Sequence, residues 1–418
     1  MKRVIKSLLP FVAIAALALW WISTMDRTPP EQAKGPPEQV AKTTEMPPAH
    51  PAPPESASWP TYHGDHALTG YTSTPLPEKL TRLWSYQAKG PVYATPVVAE
   101  NMIFSCTSNG WVFALDRSGA EVWSKQFMRE SKTDGKQVPE RFEAPLSCFN
   151  ALVLLGSAHG TVYALDTKTG EARWTYAVGG PVLGTVNGEP VASESESPRL
   201  VVIGQEDGVL HCIDAGSGQA LWKTEGIDRC DGSPSIGQGI AVFGSCAAAL
   251  HVFSMVDGAM LRSVELGEDS QVAGGVALDG DSVFSGSHSG RFFHASTKTG
   301  ALVWVNEDSN DEVFTTPAVD ANRIVFGALG GTIYCLDRET GKTAWKFEAQ
   351  GEPTSPVIAG DKVLFAADGA LHLLDLESGE ELWTFAVSDT ISAPALAGGL
   401  VLLGGDDGTV SAFGAAQS

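Results

Sequence analysis

An all-β chain closed into an eight-bladed β-propeller is the fold this sequence predicts, on three observations. A tryptophan returns about every forty residues, at Trp84, Trp123, Trp174, Trp222, Trp304, Trp345 and Trp383. Arg262 holds the position expected between Trp222 and Trp304, which makes eight units. A period of that size with several short strands per unit marks a propeller. Second, Asx-Gly pairs punctuate the units at Asn109-Gly110, Asp207-Gly208, Asp368-Gly369 and Asp407-Gly408. These supply the positive φ that tight hairpins need. Third, 45 Gly and 25 Pro in 418 residues suit a chain of many short strands and turns.

The chain opens with Lys2, Arg3 and Lys6, followed by an apolar run from Leu8 to Ile22. Fifteen apolar residues is the length of a signal-peptide core. No small-x-small cleavage site follows it, and Trp20 and Trp21 sit where an interfacial aromatic belt lies. Residues 1–25 therefore read as an uncleaved signal anchor, a transmembrane helix with its basic end inside and the body exported. The absence of a cysteine after the run excludes a lipoprotein anchor. Residues 26–58, with four Pro-Pro pairs, read as a disordered, semi-rigid linker. Residues 59–418 form the propeller.

One unit runs from Glu143 to Trp174. Ala144-Pro-Leu-Ser starts a first strand, Leu152–Ser157 a second, Thr161–Leu165 a third and Ala172–Tyr176 a fourth. Asp166-Thr-Lys-Thr-Gly170 turns between the last two, the Asp accepting backbone N–H bonds and the Gly taking the left-handed position. A tryptophan on the outermost strand can cover the adjoining blade and bury roughly 150–250 Å². All seven tryptophans thus read as structural docking residues. At the C-terminus, 393–413 supplies three strands and no tryptophan strand, while Arg82-Leu-Trp84-Ser-Tyr86 is an orphan. Blade 8 is expected to combine the two.

Net charge is −21; residues 1–22 carry +3 and 23–58 carry −2, leaving −22 on the body. That acidity opposes nucleic-acid binding. Of six cysteines, Cys212 and Cys335 share a repeat position with Ala114 and Ala164 and read as small buried side chains. Cys230 and Cys246 flank the turn Gly237-Gln238-Gly239 symmetrically, so a disulfide across that hairpin is expected.

The stretch Ala164-Leu-Asp166-Thr-Lys-Thr169-Gly170-Glu-Ala-Arg-Trp174 resembles the tryptophan-docking motif of the PQQ-type propellers. That family includes the quinoprotein alcohol dehydrogenases and the non-enzymatic BamB-like proteins of outer-membrane assembly. Cys212–Trp222, Cys335–Trp345 and Leu373–Trp383 are similar with one or two changes, and Trp59-Pro-Thr-Tyr62-His-Gly-Asp65 resembles the family's opening. The resemblance covers residues 59–418 and implies either a quinone cofactor with calcium or a cofactor-free protein scaffold. No vicinal cysteine pair of the dehydrogenase kind is present, and the blades are close to minimal length. The histidines show no metal-ligand spacing, and His211, His251 and His372 occupy a packing position held elsewhere by Phe or Tyr. The reading is a cofactor-free scaffold, without PQQ or calcium, for protein partners such as envelope assembly factors. A single copy is expected, anchored in the inner membrane with its propeller in the periplasm; the alternatives are a PQQ-dependent dehydrogenase and a ligand-binding sensor ectodomain. Two insertions, 128–143 and 187–198, lengthen loops expected on opposite faces. The first, with Arg129, Lys132, Lys136 and Arg141, is the candidate contact loop.

Overall fold

A computed structural model describes residues 58–189, 198–309 and 311–416. The expected anchor and nearly all of the linker lie outside the described residues, as does 190–197 of the second insertion. Among the described residues there is no helix, and so none long and apolar enough to cross a membrane.

Eight antiparallel sheets make the eight-bladed propeller. Blade 1 runs outward through Val97–Ala99, Met102–Cys106, Trp111–Asp116 and Glu121–Gln126. The outermost strands of blades 2 to 7 are Ala172–Ala177, Ala220–Lys223, Met260–Glu265, Leu302–Asn306, Thr343–Glu348 and Glu381–Ala386. Blade 8 takes Ala395–Ala397, Leu400–Gly404 and Thr409–Gly414 from the C-terminus and Thr81–Gln87 from the N-terminal side. In that seam Trp84 lies opposite Ala412 and Tyr86 opposite Val410. Second strands such as Ile103-Phe-Ser-Cys106 are buried throughout, because both faces pack against neighbouring blades.

Six of the eight interfaces between blades repeat one contact. The indole of an outer-strand tryptophan lies flat over the turn glycine of the next blade. A Cβ added to Gly170 would stand 2.6 Å from Trp123, and one on Gly218 2.6 Å from Trp174. Gly119 under Trp84, Gly258 under Trp222, Gly341 under Trp304 and Gly379 under Trp345 repeat the arrangement. The same glycine needs a left-handed backbone, with φ 67° at Gly170 and 72° at Gly218. Five indole N–H groups then donate to carbonyls of that turn: Trp84 to Arg117 (3.0 Å), Trp123 to Thr167 (2.9 Å), Trp174 to Ala215 (2.9 Å), Trp304 to Arg338 (3.1 Å) and Trp345 to Leu376 (2.8 Å). Each tryptophan sits opposite a third-strand residue beside a register shift, such as Ala164 opposite Trp174 and Cys335 opposite Trp345. A bulge there is a device that re-aims a side chain.

Three interfaces depart from the pattern. Among the described residues the Trp222 indole N–H has no hydrogen-bond partner, and the turn it covers opens with Ser254 where most have Asp. Arg262 replaces the plate with its aliphatic stem, 3.4 Å from a Cβ on Gly300, and donates to Lys298 O at 3.3 Å. Trp383 faces blade 8, whose third strand ends the described chain, and it packs on Phe385 (5.8 Å) and Phe413 (6.0 Å) instead.

Replacing Trp345 by Ala removes both stack and hydrogen bond, and should cost about 3–5 kcal/mol in a denaturant titration. Arg262→Ala should cost clearly less, since a stem, one long hydrogen bond across the interface and one to the adjacent Leu261 O are lost in place of an indole stack. Equal losses at the two positions would contradict the role assigned to the plate.

Candidate functional site

The channel down the propeller axis is filled by the segment that precedes blade 8's outer strand, and its end joins the blade 7 sheet. From Trp59 to Thr72 the chain pairs with one innermost strand after another. Trp59 and Val98 exchange two backbone bonds of 2.8 Å, and Pro60 O accepts from Cys148 N. His66 O, Ala67 O, Thr69 O and Gly70 O then accept from Ile236, Leu278, Val319 and Ile358, in blades 4, 5, 6 and 7. At blade 3 the Asn187 amide donates to His66 O at 2.8 Å and its oxygen meets His66 Nδ1 at 2.8 Å. Tyr71-Thr72 finally runs parallel to Ile358-Ala359. Trp59, Thr61, His63 and Leu68 are all buried. This plug went unseen in the sequence, where the only signal was that Trp59–Gly70 precedes the first blade without the alternation of a strand.

Two side chains lock it. His63 Nδ1 lies 2.9 Å from Leu68 O and Nε2 2.8 Å from Pro356 O, while burial pushes its pKa down. The Tyr62 hydroxyl lies 2.7 Å from Ser355 Oγ and 3.1 Å from Thr316 Oγ1. Burial raises the Tyr62 pKa, so the phenol stays neutral.

Above Tyr62 the axis opens as a funnel of about 330 Å³. Tyr93, Phe314 and Ile391 supply its apolar lining, and Glu143 and Asp231 its carboxylates. Glu143 is held by Arg141 at 2.5 Å, and Asp231 by Arg229 at 3.0 Å and by the Gln205 amide at 2.6 Å. The quinone of the dehydrogenases is a polycarboxylate and needs cationic donors. Among the described residues no Lys or Arg lines this funnel, and Glu143 and Asp231 are both acidic. The residues present therefore do not fit that group. Among the described residues no set of three or more His, Cys, Asp or Glu is placed to hold a metal ion.

The first insertion forms a hairpin, Met128–Glu130 paired with Gln137–Pro139, beside the funnel. Glu140 at its base is buried, with its carboxylate accepting from Tyr163 OH (2.9 Å) and Arg141 N–H (2.9 Å) and meeting His159 Nδ1 at 2.7 Å. Its Oε1 also lies 3.8 Å from Arg129. Lys136 pairs with Asp134 (3.0 Å) and Arg141 with Glu143, so three of the four expected contact cations are engaged inside the segment. Lys132 lies exposed at the hairpin tip. The loop is thus a bolted, charge-balanced arm. The second insertion leaves blade 3 between Asn187–Glu189 and Arg199–Ile203, the opposite end of the inner strand.

Cys230 and Cys246 are both free thiols. The ladder between the two hairpin arms covers Ser235–Gly237 and Ile240–Val242 alone, so the cross-strand opposition expected of the cysteines does not extend to them. Their backbones meet beyond it, through Cys246 N–H to Arg229 O at 2.9 Å. Burial raises both thiol pKa values; the neighbouring Cys246 thiol comes next for Cys230, and Asp228 and Asp231 add to both.

The family model for outer membrane protein assembly factor BamB matches residues 81–264, 252–366 and 329–417. The chain belongs to this family. It is 27% identical over 301 residues to the BamB of Xanthomonas campestris, covering 68% of this chain and 72% of that one. The solved BamB of Moraxella catarrhalis superposes with a TM-score of 0.66 at 17% identity, over 81% of this chain and 99% of that one. The quinohemoprotein alcohol dehydrogenase of Comamonas testosteroni gives 0.68 at 15% identity, over 87% and 82%. Identities that low speak for the fold alone.

Three third-strand histidines, His211, His251 and His294, should make the body lose stability in acid. Burial pushes His211, His251 and His294 down to about 4. Their unfolded value is about 6.5. The unfolded chain therefore takes up these protons first, and stability is complete above about pH 6.5 and drains away as pH falls toward 4. His251, whose Nε2 meets Ser245 Oγ at 2.8 Å, should account for on the order of 2–3 kcal/mol of that loss. Thermal melts of His251→Phe across this window should show a visibly shallower decline than the parent chain; superimposable pH profiles would refute the assignment.

Proposed function

We propose that the chain is a non-enzymatic propeller scaffold that serves outer-membrane protein assembly by holding protein partners. The observation that carries the reading is the match to the BamB family over nearly the whole propeller. It is joined by a funnel whose arginine-paired carboxylates, rings and backbone groups suit recognition and lack a reactive pair. The apolar run Leu8–Ile22 supports a membrane anchor, and the Pro-rich stretch after it supports a tether that lets the propeller work on the exported side. The hairpin 128–139 is the contact element in this reading. Glu140 fixes its base, so a partner meets a pre-organised arm and loses little entropy in ordering it.

Two measurements test this. Crosslinked envelopes should yield protein partners with the full chain, and replacing Ser131–Lys136 by a two-residue turn should lower recovery about tenfold with the melting temperature unchanged. Undiminished recovery removes the hairpin from the interface. Incubation with the quinone and calcium, followed by an alcohol and a dye acceptor, should give no turnover above buffer; sustained dye reduction would favour the dehydrogenase reading over the scaffold.

A further inference from the structure

The funnel does not end at its own wall. Between blades 7 and 8 it adjoins a groove of about 410 Å³, with Thr354 and Ile391 lining both. Pro353, Ala366 and Ile391 give this groove an apolar floor, and Glu352, Asp368 and Asp389 stand exposed along it. Glycines bring those three carboxylates to one place. The Asp368-Gly369 turn packs on Ser388-Asp389 so closely that a Cβ at Gly369 would stand 1.8 Å from Ser388 O and 2.9 Å from Asp389 O. From the other side a Cβ at Gly351 would stand 3.3 Å from the Asp368 Cβ. The funnel carboxylates Glu143 and Asp231 have arginine partners. The groove differs: no Lys, Arg or His lines it, and none lies in 351–354, 366–370 or 387–393.

We infer that this groove takes a lysine- or arginine-rich segment of a protein partner, an inference that rests on the scaffold reading above. Charge complementarity selects the occupant. Three like charges gathered around one turn repel one another, and a bound cation relieves that repulsion. The apolar floor narrows the choice further. A long cationic side chain lays its alkyl stem on apolar surface while its head stays among charges and water. The stem therefore suits Pro353 and Ile391, and the head suits Glu352, Asp368 and Asp389. Where the groove meets the funnel, Phe314 and the half-exposed Tyr93 add rings that an arginine can cover. A body of −22 also draws basic segments in and turns acidic ones away.

Two experiments test the groove apart from the scaffold reading. In the first, the detergent-solubilised full chain is titrated into labelled hexa-arginine at physiological salt and anisotropy is read. Saturable binding is expected, weakened about tenfold by Glu352→Gln with Asp368→Asn. Glu339→Gln with Glu380→Gln removes the same charge from exposed turns at the other end of the third strands, and should weaken binding at most about twofold. Equal weakening by both pairs, or no saturable binding by the parent, overturns the inference. The second experiment removes no charge. A photo-crosslinking residue at 390, exposed in the groove, is irradiated in envelopes and the attached peptide is sequenced by mass spectrometry. A Lys- or Arg-rich peptide of another protein supports the inference. A neutral or acidic peptide, or no crosslink while the full chain still recovers partners, overturns it and leaves the scaffold reading standing. A full chain that recovers no partner at all overturns both.

Discussion

One contact recurs around this ring and most of the molecule depends on it: an indole resting on a glycine that has no Cβ to hold it off. The two residues belong to different blades, and each is constrained by the other. A side chain at Gly218 would enter the Trp174 ring, and a smaller residue at 174 would leave the turn uncovered. Because each blade is a four-stranded sheet with two apolar faces, none is stable alone. The plates convert eight marginal sheets into one cooperative body, and the seam in blade 8 couples both ends of the described chain to it.

The ring is uneven. At blade 4 the Trp222 indole has lost its acceptor, and at the following interface an arginine stem stands in for the plate. Met260, Leu261, Val303 and Val305 lie exposed in this same sector. A blade edge with weak lateral docking is physically unlike the rest of the circumference.

The axis is a second source of order. Residues 59–72 stitch the inner strands together by backbone bonds, which tolerate many sequences and so leave little trace in composition. By closing the channel they turn a tube into a funnel with a neutral phenol for a floor. The same geometry decides what the funnel can hold. Its acidic groups are spoken for by Arg141 and Arg229, and no basic residue lines it to receive an anionic cofactor.

Local chemistry accounts for what could be read without coordinates. The forty-residue period, the Asx-Gly turns and the Asp-x-x-Thr-Gly turns are short-range signals, and each unit repeats them. They determined the blade count, the strand order within a blade and the pairing of 82–87 with 393–413. What depends on residues far apart in the chain had no such signal. The plug is held by bonds spanning nearly three hundred positions, as between His63 and Pro356. Three of the four cations of the 128–143 arm are engaged by Glu140, Asp134 and Glu143. The cysteines flanking Gly237–Gly239 are symmetric in the chain, but the ladder ends before it reaches them. Periodicity belongs to the chain, and so fold was written in it; partnership between side chains belongs to the packed ring, and only tertiary structure could assign it.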